Sequence, residues 1–208
     1  IMVHGDDKGL RLPPRVAPIQ AVVIPIANKA VGEAVNVKAR ELAKRLAAAG
    51  IRVECDDRDG FRPGWKYSEY EMKGVPIRVE IGPRDIENGV VTIGTRYNGE
   101  KITVKREELV ETVNRLIPQI HKAMYEKALR YLLDHVTEVH NVEELEAALN
   151  KGGYAKMMWC GEEECENKIK EMFQATSRCM PFNQMAFDEV CPICGKKAKK
   201  VVLFAKAY

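Results

Sequence analysis

The chain has 208 residues, 46% hydrophobic and 30% charged, a balance that suits a globular domain or two small ones and excludes disordered and fibrous classes. A formal net charge of +3 is too small to mark a nucleic-acid binder, so any RNA contact has to be argued from where the charges sit. No apolar run approaches the roughly 18 residues of a membrane span, and the first residues lack the basic segment and apolar core of a secretory signal, so a cytoplasmic location and no membrane partner are expected.

The chain opens on IMVHGDDKGLRLPPRVAPIQ, with no initiator methionine and an acidic turn from His4 to Gly9 ahead of Pro13-Pro14. Residues 1–16 read as the end of a preceding domain and a linker. His4 beside Asp6 and Asp7 offers metal ligands, but a turn with two glycines reads better as a solvated connection. Residues 17–26 form a continuous apolar run of strand length, predicted to be buried on both faces. Over residues 31–49, Val31, Val35, Ala39, Leu42 and Leu46 recur at helical spacing, and Gly50 supplies a stop. Residues 51–55 give a second strand. Strand, helix and strand in this order imply a right-handed crossover and a partly parallel sheet, hence an α/β domain with a mixed sheet flanked by helices.

A polar loop over residues 57–64 leads to a short helix over 65–73, with Trp65 expected in the core, and to a strand over 77–81. Residues 89–96 and 101–105, separated by Asn98-Gly99, read as a hairpin with a tight turn. Residues 106–136 have a helical pattern in which Pro118 predicts a break or kink, and the domain boundary is placed there, dividing residues 17–120 from 121–208. A helix over 141–150 has an Asn141 cap with Glu144 three residues on, and ends at Gly152-Gly153. The remainder reads as a small α+β module rich in cysteine.

The strongest chemical signal lies in that module. Cys160 and Cys165 form one short-spaced pair and Cys191 and Cys194 another, in CPICG, where Gly195 suits the turn of a metal knuckle. Four thiolates suit tetrahedral zinc, and a closed four-cysteine site leaves no position open to substrate, so a structural role is expected. Cys55 and Cys179 read as packing thiols, and His121, His135 and His140 lack a ligand partner at useful spacing. Lys196, Lys197, Lys199 and Lys200 suit a phosphate contact and a solvated strand face equally well.

Several blocks, in order and spacing, resemble prolyl-tRNA synthetase, a class II aminoacyl-tRNA synthetase, of the archaeal and eukaryotic-like type: IMVHGDDKGLRLPPRVAP, DDRDGFRPGWKYSEYEMKGVPIRVEIGPRD, WCGEEECE, ATSRCMPF, CPICGKKAKK and FAKAY. The resemblance covers essentially the whole chain. It implies a C-terminal fragment: an anticodon-binding domain followed by a zinc-bearing C-terminal domain, with no catalytic residue in this chain. The parent would use ATP and magnesium to activate proline and would transfer it to its tRNA. The first two class II motifs have no counterpart here, so this piece alone is not expected to activate proline. The implied partners are proline tRNA and the catalytic domain of the same enzyme. The parent is expected to be a homodimer and the fragment a monomer. The resemblance also implies that the terminal carboxylate of Tyr208 turns toward the parent active site.

Proline anticodons share two guanines, and an unpaired guanine offers O6 and N7 acceptors on one edge and N1 and N2 donors on another. Reading both edges calls for cations and carboxylates together. Residues 67–85 hold that mixture: Glu71 and Asp85 to accept, Arg78 and Arg84 to donate, and Tyr67 to stack. The resemblance places the family's anticodon contacts at these five positions. A plain surface ion pair between Glu71 and Arg78 is the simpler alternative. A free-standing accessory protein, or a zinc module binding RNA through its basic tail, are rival readings of the whole.

Overall fold

A computed structural model describes residues 2–26 and 32–206. Contacts divide the chain into two compact units, Ile1–Ala128 and Leu129–Tyr208.

In the first unit β1 (Ala21–Pro25) is buried along its whole length. It is shorter than the apolar run suggested because Pro18 has no N–H for a ladder, and Gln20 is drawn into a loop, its amide donating to the Pro14 carbonyl at 3.1 Å while its own carbonyl accepts from Arg52 N–H. Helix α1 (Gly32–Ala48) buries Val35, Ala39, Leu42 and Leu46, as their spacing predicts, and Val31 lies outside the described residues. It is followed by β2 (Val53–Cys55), α2 (Pro63–Met72), β3 (Ile77–Ile81), α3 (Pro83–Glu87), β4 (Val90–Thr95), β5 (Lys101–Lys105) and α4 (Leu109–Asp134). Among the described residues the strands form one mixed sheet in the order β2-β1-β3-β4-β5. β1 is parallel to β2 and β3, and the β3–β4–β5 part is antiparallel. The α/β architecture is the expected one.

Four local expectations change. Trp65 is exposed and stacks on Phe61 with ring centroids 4.3 Å apart, because the inward positions of α2 belong to Lys66 and Tyr70, four residues apart. The β4–β5 connection is longer than a tight turn, five residues (96–100), with Thr95 N–H bonding to the Glu100 carbonyl and Arg96 N–H to the Pro76 carbonyl. The short helix α3 was not anticipated. Pro118 sits inside α4 without ending it: a helix-interior proline costs about 3 kcal/mol, and burial of Leu109, Val113, Ile120 and Met124 on both sides of it offsets that cost.

In the second unit β6 (Val136–Val139) begins where the helical pattern was expected to end; Val136, Thr137 and Val139 favour the extended chain and pair parallel with β7 (Tyr154–Trp159). Helix α5 (Val142–Lys151) starts as predicted, Asn141 accepting the Glu144 N–H at 2.8 Å. Helix α6 (Glu163–Phe173), β8 (Ala175–Cys179) and β9 (Lys200–Lys206) complete an α+β unit whose sheet runs β6-β7-β9-β8. The expected position of Tyr208 lies outside the described residues.

Candidate nucleic-acid interface and metal centre

Side chains alternate along a strand, so Ile77, Val79 and Ile81 of β3 enter the core while Arg78 and Glu80 share the other face. Across the sheet Arg78 stands opposite Gly94 of β4, and Gly94 opposite Lys101 of β5. A glycine in the middle of this row leaves room for two long cations to converge: a Cβ at Gly94 would lie 3.5 Å from Nη2 of Arg78. Both cations reach Glu80. Its Oε1 accepts from Nε of Arg78 at 2.9 Å and lies 3.0 Å from Nζ of Lys101.

Helix α2 lays Tyr67 and Glu71, one turn apart, over this row. Glu71 accepts from Nη1 of Arg78 at 3.1 Å, and the Tyr67 ring centroid lies 4.1 Å from the guanidinium carbon, a cation–π contact. The pair is more than a surface ion pair, since the Arg78 side chain is only 15% exposed. Burial pushes the Tyr67 phenol well above its usual range, and the Glu80 carboxylate adds to this, with Asp85 contributing less. Its ring is therefore a neutral stacking face at any working pH. Burial also acts upward on Glu80, but the bonds from Lys101 and Arg78 outweigh it and hold the carboxyl below its ordinary range.

The five residues singled out from sequence divide in two. Tyr67 and Glu71 both meet Arg78. Arg84 and Asp85 stand on α3, just beyond the end of β3; Arg84 is exposed, and Asp85 spends one oxygen on the Gly82 N–H at 2.7 Å, capping its own helix. Glu80, Lys101 and Arg96 were missed. The Arg78-x-Glu80 alternation is a legible sign that these two share a face, whereas Lys101 and Arg96 arrive through strand pairing and a loop. Arg96 donates from Nε to the Glu71 carbonyl at 3.0 Å and grips Asp6, so the opening turn is a buttress where a solvated connection was expected. A cleft of about 170 Å³ beside these groups is lined by Lys8, Glu71, Arg78, Arg96 and Lys101 among others.

In the second unit Cys160 directly follows β7, the first turn of α6 delivers Cys165, and the turn before β9 delivers Cys191 and Cys194. Their sulfurs all lie within 4.8 Å of one another, and the first three residues are buried. Cys160 Sγ and Cys165 Sγ are 3.6 Å apart, too far for a disulfide and close to the ~3.8 Å edge of a tetrahedron with metal–sulfur bonds of about 2.3 Å. The knuckle closes through Gly195 N–H to the Cys191 carbonyl at 2.9 Å, with Gly195 at φ 68°. The backbone N–H of Lys196 draws the Cys194 thiol down, while burial, with the neighbouring thiols adding to it, pushes Cys165 up. Four such groups suit a cation that would take the thiolate charge. Cys179 lies outside the cluster and is exposed, where a buried thiol had been expected; it ends β8, whose last three residues are all exposed. Cys55 is half-buried at the core's edge, its thiol pushed up to about 11 by burial and then by Asp57. Lys199 of the basic tail lies 3.4 Å from Glu162.

Comparison with known proteins bears on both units. Residues 20–116 match the anticodon binding domain model, and residues 142–208 match the model of the prolyl-tRNA synthetase C-terminal domain. The proline--tRNA ligase of Clostridium botulinum (strain Okra, type B1) is 49% identical over 209 aligned residues that take in the whole chain. The chain belongs to the prolyl-tRNA synthetase family. Its two units are the anticodon-binding and C-terminal parts of such an enzyme. The proline--tRNA ligases of Lachnospira eligens and Acetoanaerobium sticklandii are similarly close, at 50% and 49% identity over the whole chain. In all three the chain spans 43% of the relative's length. No helix among the described residues is long and apolar enough to cross a membrane.

Proposed function

We propose that this chain reads the anticodon of proline tRNA for a prolyl-tRNA synthetase and carries a zinc-stabilised C-terminal module. The observation that carries the reading is the Arg78 clamp: a guanidinium held by Glu71 and Glu80 and laid on Tyr67, beside an open cleft. Arg78 would donate to guanine O6 and N7, Glu71 and Asp85 would accept from N1 and N2, Tyr67 would stack on an unpaired base, and Arg84 would meet a base edge or phosphate. The complete enzyme would join proline to its tRNA with ATP and magnesium, in the cytoplasm and as a homodimer; this chain alone would be a monomer that does not activate proline. Cys160, Cys165, Cys191 and Cys194 would hold zinc, whose contribution is structural: it ties β7, α6 and the knuckle together.

The test is binding of the chain, at one fixed salt concentration, to a proline tRNA transcript and to the same transcript with both shared anticodon guanines replaced. A clear preference for the guanines supports the reading. Equal binding reduces the face to a phosphate-attracting surface.

A further inference from the structure

Glu80 is a charged carboxylate in a nearly closed place, its side chain 8% exposed at the edge of a face meant for RNA. Little of it is left to meet a base: Oε1 accepts from Nε of Arg78 and both oxygens lie within 3.3 Å of the Lys101 ammonium. What it does is fix Arg78. A guanidinium has five N–H donors in one plane, and the Nε bond to Glu80 and the Nη1 bond to Glu71 lie on different edges of that plane, so together they set its rotation. With only the Glu71 bond and the Tyr67 ring the guanidinium can still turn within its own plane, since a ring face fixes no in-plane direction. Two-point recognition of a guanine edge needs two donors held in a fixed direction, whereas attraction to a phosphate needs only charge.

We propose that Glu80 is the positioning residue that makes Arg78 a reader of guanine, and that by offsetting Lys101 it keeps the same face from binding RNA indiscriminately. This rests on the anticodon-reading role proposed above. Removing the carboxylate should therefore do two opposite things: weaken binding where guanine is present and leave or strengthen it where guanine is absent. A merely structural role would weaken both in parallel.

The experiment compares the 208-residue chain with Glu80→Gln, Glu80→Asp and Arg78→Ala on the two transcripts over a salt series, with thermal melting of each variant as the folding control. Glu80→Gln should lower the guanine preference about tenfold, the scale of one charge-assisted hydrogen bond, and steepen the salt dependence by about 0.7 in log–log slope as Lys101 becomes free for a phosphate. Glu80→Asp keeps the charge and loses the reach, so it should restore the salt slope and only part of the preference; it also serves if the Gln variant does not fold. Wild-type preference in both Glu80 variants, or a parallel loss on both transcripts, overturns the proposal while loss of preference in Arg78→Ala leaves the anticodon reading standing. Preference retained in Arg78→Ala, or absent from the wild type, overturns the reading itself and the role of Glu80 with it.

Discussion

Arg96, on the loop after β4, binds the carboxylate of Asp6 ninety residues earlier in the chain, and its Nε holds the backbone carbonyl of Glu71, whose side chain in turn holds Arg78. The hydrogen bond from Arg96, before the charge of Arg96 and Arg11, holds the Asp6 carboxyl far below its ordinary range. A carboxyl depressed in the folded state stabilises it above the unfolded pKa of about 4, and that contribution is lost as the pH falls toward the folded value. Asp6→Asn should therefore melt below wild type at pH 7, and the gap should narrow as the pH is lowered beneath about 4. A gap independent of pH would mean that the ion pair contributes nothing.

Lys66 is a buried cation of the first unit. Its ammonium donates to the Asp56 carbonyl at 2.8 Å and stands 3.4 Å from the Asp56 carboxylate, whose side chain is fully buried. Lys66→Ala removes one partner and leaves a buried charge held by Arg58 alone, a change that costs about 3–5 kcal/mol in comparable cases. Chemical denaturation of the first unit should show it, and Lys66→Met should cost nearly as much, because the lost group is the charge.

Gly74 has a φ of 74°, and a Cβ there would lie 2.6 Å from the Leu10 Cβ and 2.8 Å from the Leu10 backbone carbon. The opening segment runs close against this end of α2, Leu12 N–H bonding to the Gly74 carbonyl. Gly74→Ala combines a left-handed backbone with a backbone clash and should destabilise the first unit by about 1–3 kcal/mol. Hydrogen exchange should locate the loosening at residues 8–12 and 70–76.

Arg78→Lys should not rescue guanine preference, since an ammonium cannot satisfy Glu71 and Glu80, lie flat on Tyr67 and still offer a fork. It should keep the salt-dependent background that a phosphate contact supplies, whereas Arg78→Ala should lower both. For Arg78→Lys the loss should be about 1–3 kcal/mol and confined to the guanine transcript, the scale expected of a base contact.

Cys191→Ser should abolish metal retention and loosen residues 129–208 while the first unit still melts cooperatively, because a structural zinc contributes on the order of 10 kcal/mol to a small module. Thiol alkylation gives an independent readout. With metal bound, exposed Cys179 should react first, Cys55 slowly because its thiol is pushed up to about 11, and the four clustered thiols only after a chelator is added.

Local chemistry was enough to read much of this protein. Periodicity placed α1 and its buried face, the Asn141 cap started α5, and two short-spaced cysteine pairs announced a cluster able to hold a metal, because each of these depends on residues that are near neighbours along the chain. The order of the blocks carried the family as well. Other features depended on which elements meet. Trp65 lies outside because Lys66 and Tyr70 hold the inner face of α2, and Pro118 is carried inside α4 because apolar burial on both sides outweighs one missing hydrogen bond. Glu80 is paired with both Arg78 and Lys101 only because strand pairing sets these two on either side of Gly94. Registers across a sheet are set by the packing of its whole buried face, so no stretch of sequence read alone could have joined these groups.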